Sequence, residues 1–188
     1  MALVPRNVEM THDLLWVAMR IENSPGVRIL DSVTWHPDEA DLVILCDASP
    51  FGLGFYCPML KLGRYCQLGE GQGNILFNKA ACVLSAFLWA IQSTSARRLL
   101  LLTDSLDSVG FYNSLKGAPP YSRILMAFAD AALARPDVSV QVRHVDGDSD
   151  TIADALSRLK LALLAEFYPW LQTCAFDTPA VFDWPTLH

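Results

Sequence analysis

The chain has 188 residues, 52% hydrophobic and 18% charged, with a formal net charge of −6. That is enough apolar material to bury one real core, and it excludes global disorder. The acidic balance excludes a strongly basic stand-alone nucleic-acid binder, so any such grip would be weak without neighbouring domains or partners. The longest apolar stretch, Ala80 to Ile91, is interrupted by Ser85 and is expected to be too short to span a bilayer. Met1 to Arg6 lacks the apolar region of a signal peptide. The five cysteines (Cys46, Cys57, Cys66, Cys82, Cys174) are scattered and never spaced C-x-x-C. Their pattern argues against a disulfide framework or a thiolate zinc site and suits a reducing, intracellular compartment.

In chain order, residues 10 to 22 carry Leu14, Leu15, Ala18, Met19 and Ile21 at helical spacing, with Thr11 or Asp13 as cap. Ser24-Pro25-Gly26 breaks this helix, and Val27 to Trp35 reads as an extended connector. The run from Asp41 to Asp47 is almost continuously apolar, as a strand buried on both faces would be. Gly52 to Cys57 and Lys61 to Gln67 complete an antiparallel meander, and Gly69 to Gly73 make a loop. Phe77 to Gln92 predicts a helix, Arg98 to Thr103 a second buried strand, and Leu106 to Leu115 another helix. After a break at Lys116 to Pro120 come a helix over Tyr121 to Ala134 and an alternating strand over Val138 to His144. Thr151 to Leu164 predicts one last helix, and Phe167 to His188 an irregular aromatic and proline-rich tail. The order β-β-β-α-β-α-α-β-α predicts an α/β fold, a five-stranded mixed sheet with helices on its faces. The expected organisation is an N-terminal helix and connector over 1–40, a main domain over 41–164, and a tail over 165–188 that packs on the domain.

Asp47 ends the first buried strand, Asp104 ends the fourth, and Asp154 starts the helix after the fifth. Such positions fall at one edge of a sheet, where α/β proteins build sites. Three carboxylates brought together repel one another unless a cation joins them. All-oxygen ligands without cysteine favour Mg²⁺ or Mn²⁺. Two such ions about 3.5–4 Å apart can activate a water and stabilise a leaving phosphodiester oxygen. Taken singly, each Asp also reads as a turn former or helix cap.

The motifs have a family look. Asp47-Ala48-Ser49 followed by Gly52 and Gly54 resembles the DAS-x-x-G-x-G opening of the ribonuclease H (RNase H) domain of reverse-transcribing retroelements. Thr103-Asp104-Ser105 resembles their (T/S)-D-(S/N), and His144 through Arg158 resembles their H-x-x-G-x-x-N-x-x-A-D-A-L-S-R. The resemblance covers residues 41 to 158. Asp13-Leu14-Leu15-Trp16 and Gly26 look like the connection from a reverse transcriptase, although no polymerase motif is present.

The resemblance implies an RNase H-like fold with Asp47, Asp104 and Asp154 as ligands of two Mg²⁺ or Mn²⁺ ions. It implies hydrolysis of the RNA strand of RNA/DNA hybrids, with the reverse transcriptase or other polyprotein domains as partners and no membrane. His144 would be the family's mobile histidine that helps product leave; its bland reading is a half-buried strand-end residue.

Two departures stand out. The family's glutamate in the first long helix aligns with Lys79, and Asn78 to Gln92 contains no acid at all. An ammonium there removes a ligand and repels cations, and is expected to pair with Asp47 or Asp104 instead. Glu70 is the nearest preceding acid, but nothing positions it. The second departure is Asp150 in place of asparagine, expected to keep the helix cap. Two readings follow: a nuclease impaired by Lys79, or an inactive module kept for binding or assembly. Arg97 with Arg98 and Arg143 with Arg158 are a thin basic surface for a hybrid. The tail aromatics, Phe167, Tyr168, Trp170, Phe176, Phe182 and Trp184, read either as cover for the core or as a partner surface.

Overall fold

Residues 8–23, 35–69, 74–147 and 150–179 are described by a computed structural model, in which the chain divides into two units, Met1–Trp35 and His36–His188. The first unit contains helix α1 (Val8–Asn23), the amphipathic stretch expected from its spacing. The expected connector, apart from Trp35, lies outside the described residues, as does Glu70.

The second unit starts with a 3-10 turn at Pro37–Glu39 and the meander β1 (Leu42–Ala48), β2 (Gly52–Cys57) and β3 (Leu62–Gln67). Then follow α2 (Ile75–Ser93), β4 (Arg98–Thr103), α3 (Leu106–Ser114), α4 (Tyr121–Ala134) and β5 (Ser139–His144). The chain goes on through α5 (Thr151–Ser157), α6 (Leu161–Phe167) and β6 (Gln172–Ala175). The sheet order is β5-β4-β1-β2-β3-β6, with β1–β4, β4–β5 and β3–β6 parallel and the other two pairs antiparallel. The mixed α/β sheet is as expected, with one strand more.

Strand alternation divides the core between two faces. Leu53, Phe55 and Cys57 of β2 join the larger cluster with Ala81, Leu84 and Phe87 of α2 and Phe128 of α4. Tyr56 and Tyr65 pack instead with Leu156 of α5 and Leu164 of α6. Helix α2 is long and apolar enough, at 19 residues, to cross a membrane, contrary to the expectation from Ser85. It is nevertheless the central core helix, and Ser85 satisfies its hydroxyl by donating to Ala81 O at 2.8 Å. All five cysteines are free, and Cys46 and Cys82 are buried as small apolar groups.

Two elements differ from expectation. The last helix is broken: Leu159 N donates to Leu156 O at 3.0 Å and Lys160 N to Ala155 O at 2.9 Å. That pattern is a Schellman cap, and Leu159 takes the left-handed conformation (φ 56°) usually given to glycine. The tail is not irregular throughout, because 172–175 pair with β3. Arg64 Nη2 donates to Ala175 O at 3.0 Å, and the Phe176 ring lies 5.1 Å from that of Phe55. Phe176 thus covers core, Tyr168 and Trp170 meet edge to face, and Phe182 and Trp184 lie outside the described residues.

The glycines of β2 set how closely α5 approaches the sheet. A Cβ on Gly54 would run into Ser157 N and, at 2.7 Å, Ala153 O; one on Gly52 would meet Ser157 O at 2.9 Å. Backbone atoms cannot yield as a flexible side chain can. Gly54→Ala should therefore cost about 2–3 kcal/mol in urea unfolding. Gly110→Ala on α3, whose Cβ meets nothing within 4 Å, should stabilise by about 0.5–1 kcal/mol. Equal effects from the two would show that α5 is not held against β2 in this way.

Candidate functional site

The β1–β4 ladder pairs Cys46 with Thr103, so the next residues, Asp47 and Asp104, emerge level on neighbouring strands. Helix α2 begins at the same edge, with Asn74 capping it by accepting from Phe77 N at 2.8 Å. It delivers Lys79 between the two acids. Lys79 Nζ lies 2.6 and 2.7 Å from the two carboxylate oxygens of Asp104 and 3.4 Å from Asp47 Oδ1. The three side chains are 17% (Lys79), 8% (Asp47) and 30% (Asp104) exposed, so this is a largely desolvated cluster.

Burial pushes the Asp47 carboxyl up and Asp104 adds to this, although the Lys79 charge, the Ala48 amide and Ser157 oppose it. For Lys79, burial would lower the pKa, but its Asp104 hydrogen bonds and the Asp47 and Asp104 charges outweigh this and raise it. Both pKa values move up, which favours the neutral form of the more deeply buried Asp47 and the charged form of Lys79, whose shortest contacts are to Asp104.

Asp154 lies on α5 with its carboxylate engaged elsewhere: Arg158 Nε donates to Asp154 Oδ1 at 2.7 Å, one helical turn on. The same helix reaches the edge through Ser157, whose hydroxyl is 3.1 Å from Asp47 Oδ2 and 2.9 Å from Asp154 O. His144 is exposed at the end of β5, level with Thr103. Arg97 precedes and Arg98 opens β4, at the opposite end of the strand from Asp104, and Arg98 pairs there with Asp41 at 3.3 Å. Of the other basic pair, Arg143 Nε donates to Gln141 Oε1 at 2.9 Å and Arg158 holds Asp154.

Asp150 departs from its expected role. It is the N-cap residue of α5, yet its side chain makes no capping hydrogen bond; only its carbonyl accepts, from Asp154 N at 3.0 Å. The residue is 3% exposed and neither carboxylate oxygen has a hydrogen-bond partner. Burial, reinforced by Asp47, Asp104 and Asp154, pushes its pKa up to about 8. A neutral carboxylic acid is the form this position favours. Sequence reasoning missed Ser157 as a site neighbour; the signal was there, because it falls inside the motif around Asp154.

The resemblance calls for divalent cations on Asp47, Asp104 and Asp154. The donors as they stand do not fit them: a lysine ammonium holds the space between the first two acids, and Arg158 engages the third. Among the described residues, no three His, Cys, Asp or Glu side chains are grouped so as to hold a metal ion.

The fold these elements build is ribonuclease H-like. Similar solved structures include LC11-RNase H1 in complex with an RNA/DNA hybrid, 14% identical with a TM-score of 0.52, matching 65% of this chain and 99% of that one. The prototype foamy virus protease-reverse transcriptase is 18% identical with a TM-score of 0.51. That match covers 67% of this chain but only 21% of the viral one. A foamy viral protease-reverse transcriptase with an RNA/DNA hybrid is 16% identical, with a TM-score of 0.50 over 73% of this chain and 22% of its own. At these identities the likeness establishes the fold alone. No protein-family profile and no curated protein matches the chain.

A pH dependence follows from Asp150. Its folded pKa of about 8 lies above its ordinary 3.8, so the folded state holds the extra proton between those values. Stability from this group is full below about pH 4 and is lost as pH rises through about 8. Asp150→Asn should flatten that fall and leave the variant more stable than the parent at pH 8, by a few kcal/mol in order of magnitude. Thermal midpoints taken across pH test this, and unchanged slopes would mean that Asp150 ionises freely.

Proposed function

We propose that this chain is an RNase H-like domain of the retroelement kind, intracellular and allied to nucleic-acid processing, whose own cleavage of RNA/DNA hybrids is impaired at Lys79. The observation that carries the reading is the Lys79 ammonium seated between Asp47 and Asp104, where the resemblance calls for cations. The resemblance assigns Asp47, Asp104 and Asp154 as metal ligands, His144 to product release, and Lys79 to a position normally held by glutamate. Because the present donors do not fit metal ions, no hydrolytic step is assigned to the unaltered chain.

A second reading, an inactive module retained for binding or assembly, is favoured by the charge at this edge. Asp47, Asp104, Asp150 and Asp154 gather there, while Lys79 and Arg158 are already committed to acids. Those two cations are thus not available to phosphates, so a hybrid would be gripped chiefly by partners such as a reverse transcriptase or other polyprotein domains.

The test is cleavage of an end-labelled RNA/DNA hybrid in Mg²⁺ and in Mn²⁺. The unaltered chain should cut at least roughly 100-fold more slowly than Lys79→Glu, and Lys79→Glu/Asp104→Asn should again be silent. Cleavage by the unaltered chain that is abolished by Asp104→Asn would show the hydrolytic site to be intact and sink the impairment. Silence of both the parent and Lys79→Glu would favour the assembly reading.

A further inference from the structure

The acid edge has a requirement of its own, apart from any reaction. Asp47 and Asp104 are fixed by adjacent parallel strands and cannot move apart without breaking the ladder. Two ionised carboxylates in so desolvated a place need a positive charge between them. In a metal-dependent site that charge comes from solution. Here it is covalently part of α2, whose residues on either side of Lys79, Asn78 and Ala80, are buried and hold the backbone in place.

We infer that Lys79 is the permanent counter-cation of this edge, standing in for a divalent ion so that the domain is complete and stable without one. Its ammonium reaches oxygens of both acids at once, as a bridging ion would. An entering divalent ion would have to displace it and leave a lysine partly buried without its partners, which is strongly disfavoured. The Arg158–Asp154 pair is a different matter. Its side chains are 44% and 40% exposed and one turn apart, so it is a weak surface pair that a metal could open. The stronger barrier is therefore Lys79.

This inference rests on the RNase H-like reading only for the identity of the edge, and its test contains no nucleic acid. Thermal midpoints would be compared in EDTA and in Mn²⁺, together with a titration of free Mn²⁺ by electron paramagnetic resonance, for the parent, Lys79→Met and Lys79→Glu. The parent should have one midpoint in both conditions and take up no Mn²⁺ at this edge. Lys79→Met should melt roughly 5–10 °C lower in EDTA. Lys79→Glu should bind Mn²⁺ and rise in midpoint as it does so. Should Lys79→Met fail to fold, the parent and Lys79→Glu titrations still decide. Mn²⁺ uptake by the parent, removed by Asp104→Asn, would overturn the inference, as would a Lys79→Glu chain that binds none. Failure of the functional reading would show separately, in the hybrid assay.

Discussion

Two acids are locked side by side by a parallel ladder, and much of the edge around them answers that constraint. Strands β1 and β4 have no freedom to slip, because one residue of register would turn Ile44, Cys46, Leu99 and Leu101 out of the core. Their ends therefore present Asp47 and Asp104 together. What remains adjustable is the charge that joins them, and in this chain it arrives on the first turns of α2.

The opposite face shows how backbone contacts complete that edge. Gly52 and Gly54 let α5 lie almost directly on β2, and this closeness allows Ser157 to reach Asp47, which pairs with Gly54 on the face that α5 covers. Ser49 adds a second tie by donating its hydroxyl to Ser157 O at 2.7 Å. The glycines, the two serines and Asp47 thus form one connected unit. Asp150 enters it as an acid with no partner, tolerated because it can keep its proton.

Much of this was readable in the residues. The apolar runs ending in Asp47 and Asp104 located both strands, and the lack of any acid in 78–92 forecast the pairing seen for Lys79. What could not be read was decided by tertiary contacts or by an uncommon backbone state. The break after Ser157 relies on a left-handed leucine, so there was no glycine to mark it. Strand β6 has four exposed residues without alternation, and only the free side of β3 makes it a strand. The capping role expected of Asp150 failed because its backbone (φ −110°, ψ 32°) is not the extended conformation from which an N-cap side chain turns back to the helix amides.

The pairing of β6 with β3 bears on where this fold can be divided. By sequence the chain looks separable after α6, with a tail to spare. In space, that cut would peel away an outer strand together with Phe176, which sits against Phe55. It would bare the hydrogen-bonding groups along Leu62–Tyr65, a surface that recruits strands from other molecules. A shortened version would thus be prone to self-association for a reason unrelated to its acid edge. Residues 172–176 belong to the sheet's architecture, although they follow the last recognisable motif.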